Sequence, residues 1–189
     1  SLVPIASATR IGEQAGFGHP RKGKGWLARY GDQEISQFRG AELIAARWGL
    51  TRTRLEEYAL TSHRRAVAAL DAGLFDAETV PVEGVTRDEG PRRDTSADKL
   101  ATLRPLSDGG LLTAGVASQI SDGAAVLLIA SDQAVRRHNL TPLARVHAMA
   151  VVGSDPVLML TGPIPATAAV LKTAGLTHDD IGAYEVNEA

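Results

Sequence analysis

Between Leu55 and Leu70 apolar and small residues recur at three- and four-residue intervals (Leu55, Tyr58, Ala59, Ser62, Ala66, Ala69, Leu70), which puts them on one face of a helix. Thr53-Arg54-Leu55-Glu56 fits a capping box, so the pattern predicts a start near Thr53 and an end at Gly73. A shorter helix is expected over 41–48, where Leu43, Ile44, Ala45, Ala46 and Trp48 precede Gly49. Thr95-Ser96-Ala97-Asp98 opens another, which runs to about Leu103 and stops before Pro105. The first thirty-odd residues, broken by Gly12, Gly16, Gly18, Pro20, Gly23, Gly25 and Gly31, read as irregular. Val80-Pro81-Val82 and Val85 suggest a short extended stretch at an edge.

Past Gly110 the pattern changes. Residues 124–130 are continuously apolar, as a strand buried on both faces requires. Ser131 can cap a short helix through His138, and 144–152 alternates Arg145 and His147 with Val146 and Ala148, as a strand would. A helix over 165–174 closed by Gly175 and a strand over 181–186 complete an alternation that points to α/β layers.

Composition narrows the function. The 189 residues, 44% hydrophobic and 22% charged, can bury a real core. A net charge of −2 provides no field favouring nucleic acid or an anionic membrane, and 4% aromatics leaves few stacking platforms for single strands. No apolar run reaches the roughly 18 residues of a membrane-spanning helix, and Ser1-Leu2-Val3-Pro4-Ile5 lacks the basic start of a signal peptide. A cytoplasmic location without nucleic-acid or membrane partners is expected. With no cysteine, the chain has no disulfide, no thiolate metal site and no cysteine nucleophile. His63, His138, His147 and His178 have no ligand spacing, so no metal is expected. Arg21, Lys22 and Lys24 read as a solvated loop tip, with a phosphate or subunit contact as the alternative.

Three stretches are more particular: Asp88-Glu89-Gly90-Pro91-Arg92-Arg93 followed by Leu100-Ala101-Thr102-Leu103-Arg104-Pro105; Thr113-Ala114-Gly115-Val116-Ala117-Ser118-Gln119-Ile120-Ser121-Asp122-Gly123; and Glu185-Val186-Asn187-Glu188-Ala189. In this order and spacing they resemble the degradative thiolases (3-ketoacyl-CoA thiolases, acetyl-CoA acyltransferases), and the resemblance covers essentially the whole chain. It implies the central part of a layered αβαβα fold of class α/β, incomplete here, with a mainly helical loop-domain insertion. Residues 1–10 would end the N-terminal half, 11–112 would form the loop domain over coenzyme A, 113–141 would return to the N-terminal half, and 142–189 would begin the C-terminal half. In the family the last stretch continues with phenylalanine and alanine, which implies a longer polypeptide.

The implied reaction is thiolysis of a 3-ketoacyl-CoA by CoA, or the reverse condensation, with CoA a substrate and no cofactor. It needs a thiolate nucleophile, a base, and donors for developing oxyanions. In the family the nucleophilic cysteine lies upstream of this segment, and the histidine base and second cysteine lie downstream. Asn187 matches the Asn that holds an oxyanion-hole water. Ser118 and Ala114 match the region contacting pantetheine, and Arg92 matches a basic residue at the nucleotide end, with Arg93 its competitor. The chain departs from the family at Val116, usually Asn, and at Gln119, usually Gly. Gly18-His19-Pro20 imitates the motif of the catalytic histidine but falls in the loop insertion, where that role does not belong. A homodimer or homotetramer is expected by analogy. Two other readings stay open: a same-fold sterol-carrier-type thiolase or condensing synthase, and a catalytically silent CoA-binding or assembly module.

Overall fold

A computed structural model describes residues 5–187. Among them are seven α-helices: α1 (Ile5–Gln14), α2 (Lys24–Tyr30), α3 (Gln37–Arg47), α4 (Arg52–Asp71), α5 (Ala97–Ala101), α6 (Asp132–Arg137) and α7 (Pro163–Ala174). Two 3-10 turns, Ala114–Val116 and His178–Asp180, complete the regular structure.

Local chemistry sets the helix starts. Ser36, Ser96 and Ser131 accept the backbone N–H three residues on, opening α3, α5 and α6 at 3.1–3.2 Å. The start of α4 lies two residues earlier than the sequence pattern suggested. Thr51, not Thr53, accepts the Arg54 N–H at 3.3 Å. Starting there brings Arg52 into the first turn, where it pairs with Glu56 at 2.7 Å across one helical turn. Helix α7 begins at Pro163 and ends, as expected, at Gly175.

Residues 5–30 are more ordered than their glycines imply, since α1 and α2 both form. Most of the glycines fall beside these helices rather than inside them: Gly16, Gly18, Gly23 and Gly31 lie outside the helical spans. The extended stretch near Val82 is a two-residue hairpin. Val82 and Val85 exchange backbone hydrogen bonds at 3.1 and 2.9 Å around Glu83 (φ 47°) and Gly84 (φ 89°).

The strands expected over 124–130, 144–152 and 181–186 are not assembled. Among the described residues there is no β-ladder, only isolated bridges at Val82–Val85 and Pro105–Thr113. These segments lie extended and open, with Val126 93% and Val151 98% exposed. A strand exists only against a neighbour that accepts its N–H groups and covers its side chains, and no such neighbour lies within the described chain.

The ordered core is therefore small. Ile35, Ala45, Leu60, Leu100, Leu112 and Leu171 are buried, with Thr113 fully enclosed. Helix α4 packs against α5 and against the 3-10 turn that follows Thr113. Packing under that turn is tight: a Cβ on Gly115 would stand 2.5 Å from Leu100 Cδ2 and 2.9 Å from Leu103 Cδ1.

Candidate functional site

Two polar anchors fix the loops around α4. At its start, Arg52 Nη2 donates to the carbonyls of Leu100, Ala101 and Leu103 at 3.2, 3.0 and 2.7 Å. A cation at the end of α5 thus satisfies carbonyls that the short helix leaves open. On α3, Glu42 Oε1 accepts the N–H groups of both Leu111 and Leu112 at 2.9 Å, and Oε2 lies 3.1 Å from the first. The Glu42 carboxylate thereby sets the course of the chain into Thr113. The Thr113 hydroxyl then accepts the Gly115 N–H at 3.2 Å, which starts the turn carrying Ala114.

The other end of α4 holds the loop that contains Arg92. Arg93 grips Asp71 with both guanidinium nitrogens, at 2.9 and 2.6 Å. This bidentate hydrogen bond, reinforced by the opposite charge, lowers the Asp71 carboxyl below its usual range and raises Arg93 above its own. The Arg92 backbone N–H donates to His63 Nδ1 of α4 at 3.1 Å. Gln119 completes the loop's attachment: its Nε2 donates to the Gly90 carbonyl at 2.7 Å, and its Oε1 faces Arg92 Nη2 at 3.5 Å. Just beyond, Lys99 donates to Asp94 at 2.8 Å, and this contact lowers the Asp94 carboxyl.

Against α4 these residues form an open cleft of about 310 Å³, lined by His63, Arg64, Val67, Arg92, Arg93 and Thr95. A second cleft of about 410 Å³ runs along the helix between Arg54, Glu57, Tyr58, Thr61, Ser62 and Arg65. With Arg93 neutralised by Asp71, the net positive charge of the first cleft rests on Arg64 and Arg92, an arrangement suited to a phosphate.

The expected site residues divide into two groups. Arg92 and the Ala114–Ser118 stretch are drawn together, because Gln119 reaches the Arg92 loop directly from the position after Ser118. Asn187 lies exposed in the extended chain after Ile181, and Glu188 and Ala189 are outside the described residues. Arg93, the competitor of Arg92 for the nucleotide end, is paired with Asp71 and anchors the loop to α4. His19 spends Nδ1 on the Arg21 N–H at 3.0 Å within its own loop. The basic cluster beside it is also engaged: Arg21 donates to the Ile35 carbonyl at 2.6 Å, and Lys22 pairs with Asp32.

His63, Glu42, Arg52 and Gln119 carried no signal of position in the sequence. Their partners lie 27 to 70 residues away. Gln119 departs from the resembled pattern, which usually has Gly there, and His63 falls in the patch Ser62-His63-Arg64-Arg65-Ala66 that supports the resemblance.

Comparison with known proteins bears on the family and the fold. The family model for the thiolase N-terminal domain matches residues 32–133, and that for the thiolase C-terminal domain matches 140–189. The steroid 3-ketoacyl-CoA thiolase FadA6 of Mycobacterium tuberculosis is 56% identical over 194 aligned residues, covering 100% of this chain and 47% of that protein. A 3-ketoacyl-CoA thiolase of Escherichia coli is 44% identical over 160 residues, covering 79% of this chain and 41% of its own length. The crystal structure of human mitochondrial 3-ketoacyl-CoA thiolase in complex with CoA superposes with a TM-score of 0.77 at 42% identity, over 80% of this chain and 39% of that one. The chain thus spans less than half the length of these relatives, and it is part of a thiolase-like α/β fold in which the regular structure of the described residues is helical. With both domain models matched in order, the chain belongs to the thiolase family.

Proposed function

We propose that the polypeptide carrying this segment cleaves a 3-ketoacyl-CoA with CoA, giving acetyl-CoA and a shortened acyl-CoA, or runs the reverse condensation. In this reading the segment binds CoA and contributes one oxyanion-hole group. The nucleophilic cysteine and the histidine base lie elsewhere in the polypeptide. The observation that carries the reading is the joining of the Arg92 loop to the Ala114–Ser118 stretch through Gln119. One extended molecule with a phosphate at one end and amides along its arm would meet Arg92 with the first and the small-residue stretch with the second. A guanidinium pairs with phosphate or stacks on adenine, the Ser118 hydroxyl serves the pantetheine amides, and Ala114 lets the arm pass close to the backbone. Asn187 would hold the water that stabilises the thioester oxygen as charge develops on it.

Residues 11–112 would then be the loop domain over CoA, flanked by 1–10 and 113–141 of the N-terminal half, with 142–189 opening the C-terminal half. The extended segments 124–130 and 144–152 would take their sheet partners from the rest of the polypeptide. We place the enzyme in the cytoplasm as a homodimer or homotetramer. A bulky, steroid-derived acyl group is favoured by the greater identity to a steroid thiolase than to the Escherichia coli relative.

The test is thiolysis by the full-length polypeptide. Asn187→Ala is expected to lower kcat by about a hundredfold, as loss of an oxyanion donor does. Arg92→Ala is expected to raise the KM for CoA with kcat little changed. CoA binding without acyl transfer in the full-length protein would favour the silent binding module instead.

A further inference from the structure

Arg92 and Arg93 are adjacent, yet their side chains meet opposite kinds of partner. Arg93 holds a carboxylate, at 2.9 and 2.6 Å from Asp71, so its charge is used in attaching the loop to α4. Arg92 faces the neutral amide of Gln119 at 3.5 Å and among the described residues enters no ion pair; Asp94, held by Lys99, feels its charge only from farther off. A neutral acceptor can orient a guanidinium while leaving its full charge for an incoming anion; a carboxylate cannot.

The orientation of the Gln119 amide is dictated by its surroundings. The Gly90 carbonyl can only accept, and the Arg92 guanidinium can only donate. The amide nitrogen must therefore face Gly90, where it donates at 2.7 Å, and the oxygen is turned towards Arg92. His63 secures the backbone beneath, accepting the Arg92 N–H at 3.1 Å. Backbone and side chain of Arg92 are thus held by different parts of the fold, and its head lies at the cleft shared with His63 and Arg64.

We propose that Gln119 is a positioning residue which orients the Arg92 guanidinium, unpaired with any carboxylate, for the phosphate-bearing end of CoA. The inference rests on the reading of Arg92 as a CoA contact. It makes Gln119 a strap between the pantetheine stretch and the nucleotide loop, one that a glycine would remove while Arg93 and His63 still hold the loop to α4. A positioned arginine loses less side-chain freedom when the anion arrives, so removing the strap weakens binding without touching the chemistry.

The experiment is calorimetric titration of the full-length enzyme with CoA, together with steady-state thiolysis. Gln119→Gly is expected to weaken CoA binding about threefold to tenfold, the range for one modest hydrogen bond, with kcat unchanged. Gln119→Glu keeps a side chain of the same length but neutralises Arg92 and gives up the donor to Gly90, so it should weaken CoA at least as much. The decisive reading is a double-mutant cycle, because Gln119→Gly should have no further effect once Arg92 is alanine. Equal losses in both backgrounds would overturn the proposal, as would unchanged CoA affinity in Gln119→Gly and Gln119→Glu while Arg92→Ala weakens it. If Arg92→Ala alone leaves CoA affinity intact, the reading of Arg92 fails first, and the role of Gln119 fails with it.

Discussion

Removing the Glu42 carboxylate gives the sharpest test of how this segment is held together. Glu42 binds two successive backbone N–H groups, those of Leu111 and Leu112, and Leu112 is buried. A hydrogen bond to a charged group contributes about 1.5–3 kcal/mol, and a buried donor stripped of its partner costs about 1–3 kcal/mol. The two bonds share one carboxylate, and water can reach the less buried amide. Glu42→Ala should therefore cost about 3 kcal/mol locally rather than the full sum. Glu42→Gln should cost less, about 1 kcal/mol, because an amide oxygen placed at Oε1 keeps both neutral bonds. Its nitrogen would then face the Leu111 N–H, which Oε2 meets at 3.1 Å. Hydrogen exchange in the full-length protein reads this directly. At roughly 1.4 kcal/mol per factor of ten, the Leu111 and Leu112 amides should exchange about a hundredfold faster in Glu42→Ala and less than about tenfold faster in Glu42→Gln. Unchanged exchange at these two amides in Glu42→Ala would refute the anchor. Equal acceleration in both variants would refute the ordering derived from Oε1.

The remaining predictions concern α4. Thr51→Ala should lose about 1 kcal/mol of helix stability while Thr53→Ala stays near neutral; denaturation of the two variants decides between the observed cap and the capping box suggested by the sequence. The grip of Arg93 lowers Asp71 below its ordinary value of 3.8. Its contribution is full above that value and is lost as the pH falls through the lowered one. Opening of residues 88–94, followed by hydrogen exchange between about pH 3 and 6, should rise towards the acid end, whereas Asp71→Asn should already be more open at the upper end and rise less, with only the Asp94–Lys99 contact left to lose.

The sequence alone determined whatever depends on neighbours along the chain. The caps at Ser96 and Ser131, the close of α7 at Gly175 and the apolar stripe of α4 are local, because a hydroxyl or a 3.6-residue period acts over a few residues. Three motifs in order were enough to point to the family. The exact start of α4 was less legible, because Thr51 and Thr53 both offer a hydroxyl, and Arg52 could tip the choice only through Glu56 and the end of α5.

Tertiary structure decided the rest. Nothing local distinguishes Arg92 from Arg93; the difference comes from Asp71 and Gln119, which the fold brings to them from 22 and 27 residues away. Residues 124–130 read correctly as apolar, but apolarity alone does not make a strand, since backbone donors require a partner to accept them. Glu42 gave no sign that it would anchor a loop 70 residues on. Local patterns fix what a segment can become, and only the partners that folding supplies fix what its side chains do.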